Sequence, residues 1–250
     1  MILNYEYHQI NEKLPIVFIH GLFGSLSNLG MLARTFSENH NTLQIDVRNH
    51  GKSEHSFEMN YDVMAKDIIE TLDQLNIEKF ILVGHSMGGK ISMKLADLIG
   101  QRIEKLIILD ISPFTYLESH HTHIFEALFA VKNANIESRH DAIAIMKNHI
   151  NEDMVIQFLL KSFSKGKWLF NVDSIYENYS KILSWNNVSV NIPTLFIRGG
   201  NSPYISKEQH IQSIQQQFSN AEIKTVENAG HWLHAEKTAE VVVNIQNFIE

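Results

Sequence analysis

The sequence predicts an α/β protein, a mostly parallel sheet flanked by helices and interrupted by a long helical insertion. Three observations carry this. Short apolar runs alternate with stretches of helical periodicity along the 250 residues, the order that threads parallel strands through crossover helices. Between Asp110 and Thr194 the alternation stops for about eighty residues, far beyond the ~2–6 residues of an ordinary βα connection. Residues 80–89, FILVGHSMGG, run from an apolar strand through G-x-S-x-G into a helix with Ile91, Leu95 and Leu98 at helical spacing.

The elements follow in order. An alternating stretch at residues 2–9 opens the chain, and apolar runs at 16–20, 42–47, 80–83, 106–110, 194–198 and 222–226 supply the remaining strands. A helix over 61–75 places Met64, Ile68, Leu72 and Leu75 on one face, and the last helix does the same with Val241, Val242, Ile245, Phe248 and Ile249. Within the long interval, residues 124–131, 141–149, 154–163 and 174–183 carry apolar residues at helical spacing. The interval is therefore an inserted cap. The division is a core over 1–112, a helical cap over 113–190, and a second part of the core over 191–250.

Composition narrows the function classes. A hydrophobic content of 44% supports a substantial core, and the absence of cysteine excludes disulfides, thiolate metal sites and a cysteine nucleophile. A net charge of −7 argues against a nucleic-acid surface. The first eight residues carry no basic segment or long apolar run of a signal peptide, and no stretch approaches the ~18 apolar residues of a membrane span. A cytoplasmic protein without membrane contact is expected.

The turn at residues 84–88 is where chemistry is expected. A strand-to-helix turn this sharp strains its central residue, and a Cβ at Gly84 or Gly88 would strike the neighbouring strand or helix. Ser86 would stand clear of the sheet with free N–H groups of the helix behind it. A serine hydroxyl needs a base, and the base needs a third group to orient it. Around such an elbow the chain order is Ser, then Asp or Glu, then His. His231 follows the last strand and precedes the last helix, within reach of the elbow; His234, three residues on, is taken as a helix-start residue.

For the acid, the strand at 194–198 leads into Gly199, Gly200, Asn201 and Ser202, none of them a carboxylate. Asp110 closes the strand at 106–110, beside the elbow strand, and is assigned as the acid; the alternative makes it a turn residue ahead of Pro113. Ser202 is placed as a hydrogen-bonding support in the same corner. An oxyanion hole needs two backbone donors. Met87 N–H supplies one, and Leu22 N–H, in the loop 20–24, supplies the other, with Gly21 allowing close approach.

The remaining polar residues receive structural readings. His20 and His85 pack beside the site, and residues 46–53 form a hydrogen-bonded corner. His120, His121 and His123 look like a metal cluster, but neighbouring helical residues face different ways and no carboxylate stands at a useful spacing. No metal or other cofactor is expected. The cap aromatics Phe125, Phe129, Phe158, Phe163, Trp168, Tyr176 and Tyr179 are mostly cap core, with some available to an acyl pocket.

With these residues in place, the chain resembles the α/β-hydrolase superfamily and within it the bacterial YbfF-type esterases. The matching segments are residues 20–25 (HGLFGS), 46–51 (DVRNHG), 84–90 (GHSMGGK), 199–204 (GGNSPY) and 230–232 (GHW). The resemblance implies the α/β-hydrolase fold with a helical cap inserted after the sixth strand. It also implies a serine carboxylesterase for short acyl esters, with acyl-CoA thioesters as a further class, and a triad acid at Asp110. Epoxide hydrolases and dehalogenases of this fold need an Asp nucleophile, so Ser86 argues against both. A carbon–carbon bond hydrolase with the same triad, and an inactive ligand-binding protein on this scaffold, are the alternatives. Substrate identity and oligomeric state are not written in these motifs.

Overall fold

The computed structural model of the chain describes residues 1–117 and 121–250. A seven-stranded sheet forms its centre. Its strands are β1 (Tyr5–His8), β2 (Ile16–Ile19), β3 (Thr42–Ile45), β4 (Phe80–His85), β5 (Ile103–Leu109), β8 (Thr194–Gly199) and β9 (Ala221–Val226). They lie in the order β1-β3-β2-β4-β5-β8-β9; β1 runs antiparallel to β3, and every other pair is parallel.

The central strands are apolar on both faces because both faces are covered. In β2, Ile16 and Phe18 pack with Leu32 and Phe36 of α1 (Gly30–Phe36) and with Val241 and Ile245 of α11 (Thr238–Ile249). Val17 and Ile19 point the other way, into a core shared with Met64 and Ile68 of α2 (Tyr61–Gln74) and Ile91 and Leu95 of α3 (Met87–Ile99). Leu98, in the last turn of α3, is exposed. Asn60 caps α2 by accepting from Val63 N–H at 3.0 Å, satisfying one orphan donor.

The helical insertion follows β5, the fifth strand of the chain, not the sixth. The apolar runs of the sequence agree with the structure, since 106–110 is the fifth of them; the sixth-strand position is implied by the resemblance alone. The described insertion comprises α4 (Thr122–Asn133), α5 (Arg139–Met146), α6 (Asp153–Leu160), α7 (Val172–Glu177) and α8 (Tyr179–Leu183). Between α6 and α7 a hairpin joins β6 (Phe163–Ser164) to β7 (Lys167–Trp168). Two expectations are corrected there. Helix 154–163 stops at Leu160 and Phe163 enters the hairpin, whose turn is made by Lys165 and Gly166 at φ 49° and 76°. The stretch 174–183 divides at Asn178, whose side chain donates to Phe57 O at 2.8 Å and Ser174 O at 2.9 Å.

Polar bonds hold the insertion over the strand ends. Tyr61 O–H donates to Ile182 O at 2.6 Å, Ser162 O–H to Phe23 O at 3.0 Å, and Asn171 N–H to Asn49 O at 2.9 Å. After β8, α9 (Glu208–Gln217) returns the chain to β9, and α10 (Leu233–Glu236) leads into α11.

Candidate active site

The site is built where β4, β5 and β8 end side by side. Ser86 sits between β4 and α3 at φ 55°, ψ −120°, a conformation an L-residue holds only under constraint. The constraint is visible in the glycines. A Cβ on Gly84 would lie 2.4 Å from Gly88 O, and one on Gly88 would lie 2.3 Å from Ile19 O. The turn closes only because both side chains are missing. Ser86 N–H donates to Leu109 O at 3.0 Å, which ties the elbow to β5.

Asp110 follows β5 directly and also has positive φ, 54°. Its N–H continues the ladder to Ile197 O at 2.9 Å, and its carboxylate turns inward, fully buried. Oδ1 accepts Gly199 N–H at 2.9 Å; Oδ2 accepts from Ser202 O–H and, at 2.7 Å, from His231 Nδ1–H. A buried carboxylate requires such donors, and here it has three. Because Asp110 accepts at Nδ1, the imidazole presents Nε2 as the acceptor for Ser86 O–H at 2.9 Å. Ser86, His231, Asp110 and Ser202 thus form one continuous chain of hydrogen bonds. Asn201 is exposed, and among the described residues it bonds through its backbone N–H to Ala229 O at 2.9 Å.

The loop after β2 is held from beneath by two buried histidines. His20 donates from Nδ1 to Gly21 O at 2.8 Å and accepts Val47 N–H at 3.0 Å; His50 donates to Arg48 O at 3.0 Å and accepts Phe23 N–H at 3.1 Å. Burial keeps both neutral, pulling His20 below its usual range and His50 down to about 3. Gly21 runs close to the elbow, and a Cβ there would stand 3.2 Å from Ser86 Cβ. Leu22 and Met87 both line the cavity onto which Ser86 opens, and among the described residues neither backbone N–H donates to a protein acceptor. The corner at 46–53 is bonded through Asp46, which accepts from Leu26 N–H, Asn4 Nδ2–H and Lys52 N–H at 2.7, 2.7 and 2.9 Å.

His85 donates from Nε2 to His231 O at 2.8 Å and lies 4.8 Å from the His231 ring. Burial keeps its pKa well below the usual range, so it supports the backbone of the His231 loop as a neutral ring. His234 is in α10 as a helix-start residue and is buried, its pKa pulled down to about 3 by desolvation. His120 lies outside the described residues. His121 bonds Tyr179 O–H and lines the cavity, and no metal-holding cluster occurs among the described residues.

The cavity holds about 50 Å³. A water needs ~10–15 Å³ on this measure, so the space suits a few waters or a short chain. Tyr61, Tyr116, Tyr179 and Tyr204 make much of its wall, and Lys90 contributes its only lysine. Of the insertion aromatics named above, Tyr179 alone lines it; Phe163 and Trp168 are buried against each other at 5.0 Å, and Phe125 is buried against Phe23 of the loop after β2 at 5.5 Å. Phe158 meets Trp232 at 5.2 Å, beside the His231 loop.

Sequence reasoning passed over two residues. Tyr204 covers the His231 ring at 4.1 Å between centroids, and burial pushes its phenol up to about 12. Lys90 is fully inside. The sequence shows only its place, one helical turn beyond Ser86 on the same helix face; its partners are brought to it by the fold.

Comparison with known proteins agrees with this architecture. The family described as the alpha/beta hydrolase fold matches residues 15–135. Esterase YbfF of Escherichia coli (strain K12) is 47% identical over 96% of this chain and 94% of its own length. The sn-1-specific diacylglycerol lipase ABHD11 of Danio rerio is 36% identical over 96% of this chain and 79% of its own. A solved structure titled marine microorganism esterase superposes with a TM-score of 0.93 at 31% identity, covering 99% of both chains. Likeness of that depth over nearly the whole length makes the chain a member of the α/β-hydrolase family, of the YbfF type of esterase.

Proposed function

We propose that this esterase cleaves short-chain carboxylic esters through an acyl-enzyme on Ser86. The observation that carries the reading is the relay Asp110–His231–Ser86, with both bonds below 3 Å, opening onto a narrow, largely apolar cavity. Ser86 Oγ attacks the ester carbonyl while His231 Nε2 takes its proton. The oxyanion is received by Leu22 N–H and Met87 N–H, donors held in place before the charge develops. Collapse expels the alcohol, which regains the proton from His231. Water, deprotonated by the same nitrogen, then releases the acid. Asp110 keeps the imidazole oriented and stabilises its cationic form, and Ser202 and Gly199 N–H hold Asp110.

The segment 113–190 acts as the cap that limits acyl length, because Tyr179, Ile182 and Leu183 form its side of the cavity. Thioesters of short acids, acyl-CoA among them, belong to the same proposal, since the relay acts on the acyl carbonyl whichever atom leaves. Relatives named esterases weigh against the carbon–carbon alternative.

The test is kcat/KM across oxygen esters and CoA thioesters of increasing acyl length. Acetate to hexanoate esters should exceed dodecanoate esters, with the fall set in KM. A maximum at long chains would refute the short-acyl reading, and turnover of none of the panel would refute the ester reading.

A further inference from the structure

Lys90 takes no part in the relay, yet it is placed beside it. It lies on α3 one turn beyond Ser86, on the same helix face, and is 2% exposed. Its Nζ donates to Leu183 O and Ser184 O, each at 3.2 Å, at the end of α8. The Tyr116, Tyr61 and Trp185 ring centroids stand 5.1, 5.6 and 5.8 Å away. Leu183, Tyr61 and Tyr116 are also cavity walls. Every one of these neighbours is electrically neutral.

Tying α3 to the end of α8 accounts for two of the three ammonium N–H groups. It leaves the third, and it neutralises none of the charge. Among the described residues no carboxylate pairs with Nζ and none lines the cavity. A buried, unpaired cation is costly, whereas a methionine would fill the same space without desolvation cost. A cation in a low-dielectric wall concentrates its field in the adjoining cavity, where it attracts an anion.

We infer that Lys90 is a subsite for an anionic acyl tail: the acyl group ends in a carboxylate that Lys90 receives while Ser86 attacks the ester at the near end. The inference rests on the ester-hydrolase reading of the same cavity. The preferred substrates are then half-esters of short dicarboxylic acids, which with one water give the dicarboxylic acid and the alcohol. Burial pulls Lys90 down to about 7, while the two carbonyls and the ring faces hold its charged form. The phenols facing it, Tyr61 and Tyr116, are pushed upward by burial and stay neutral. The other titratable walls are Tyr179, Tyr204 and His121. Among the described residues no carboxylate stands in these walls to satisfy the ammonium in place of substrate.

The experiment compares benzyl half-esters of succinate, glutarate and adipate with benzyl esters of the neutral acids that carry a methyl in place of the carboxylate. Benzyl alcohol release gives kcat/KM. At pH 6 at least one half-ester should exceed its neutral match by on the order of 10- to 100-fold, as a charge-assisted hydrogen bond allows. The ratio should fall as pH rises through about 7, because the free enzyme loses the ammonium. Lys90→Met should bring the ratio to unity or below, and Lys90→Arg should retain part of it. Neutral esters favoured at every length in the wild type, or a ratio unmoved by Lys90→Met, overturns the subsite while leaving the esterase reading intact. Cleavage of neither series overturns both. The wild-type ratio and its pH profile decide the matter even where a Lys90 variant fails to fold.

Discussion

Asp110 sets the character of the site. A carboxylate at the end of β5, turned inward at φ 54°, meets Gly199 N–H, Ser202 O–H and His231 Nδ1–H at once. Replacing it by Asn leaves the shape but lets the amide donate, so His231 is offered the wrong tautomer. Asp110→Asn should lower kcat by on the order of 10⁴. Asn201→Ala, a change at an exposed side chain, should leave kcat within a few-fold, as steady-state kinetics of both variants would reveal. The reverse ranking would move the acid elsewhere. At this scale much was legible: Ser86, His231 and Asp110 each stand at a strand end beside a recognisable turn. Lys90 and Tyr204 were not, because their roles depend on Leu183, Ser184 and His231, brought close only by the fold.

Among the elements, the elbow and the corner after β3 bear the strain of the site. Gly88 passes so close to Ile19 O and His20 O that Gly88→Ala should misplace Ser86, with a loss of kcat well beyond any loss of secondary structure by circular dichroism. The corner is anchored by Arg48, which is bidentate to Asp67 of α2 at 2.6 and 2.8 Å, both residues buried. Removing one partner leaves an unpaired buried charge, so Asp67→Asn should cost about 3–5 kcal/mol in urea unfolding. A cost below about 1 kcal/mol would mean that the pair is solvated in solution.

Strand and helix existence could be read from periodicity, since apolar runs such as residues 80–83 and 106–109 are buried on both faces. The interior of the insertion could not. The hairpin at residues 163–168 depends on Lys165 and Gly166 adopting positive φ, and the break at Asn178 depends on a bond to Phe57 from another part of the chain. Neither leaves a mark in helical spacing. The placement of the insertion after a sixth strand comes from the resemblance, whereas the apolar runs themselves put five strands before it, as the structure does.

At the scale of the whole molecule, several histidines are buried neutral, and this governs acid stability. His50 and His234 have folded pKa values near 3, against an ordinary value of 6.5, through desolvation. The unfolded chain therefore binds more protons between pH 6.5 and 3. Stability is complete above about 6.5 and is lost as pH falls, at up to about 1.4 kcal/mol per pH unit for each histidine. His234→Leu removes one of them and should flatten the acid limb of unfolding free energy by about that amount; an unchanged slope would contradict the assignment. Its Nδ1 has no hydrogen-bond partner among the described residues, so the substitution breaks no bond there. No helix among the described residues is long and apolar enough to cross a membrane.

The central claim is that Ser86 is the residue that carries the acyl group. A fluorophosphonate probe followed by intact-mass and peptide mass spectrometry tests it most directly. The wild type should gain a single adduct on the peptide containing Ser86, and folded Ser86→Ala should gain none and lose ester turnover. An adduct on another residue, or a folded wild type that takes no label, would contradict the account.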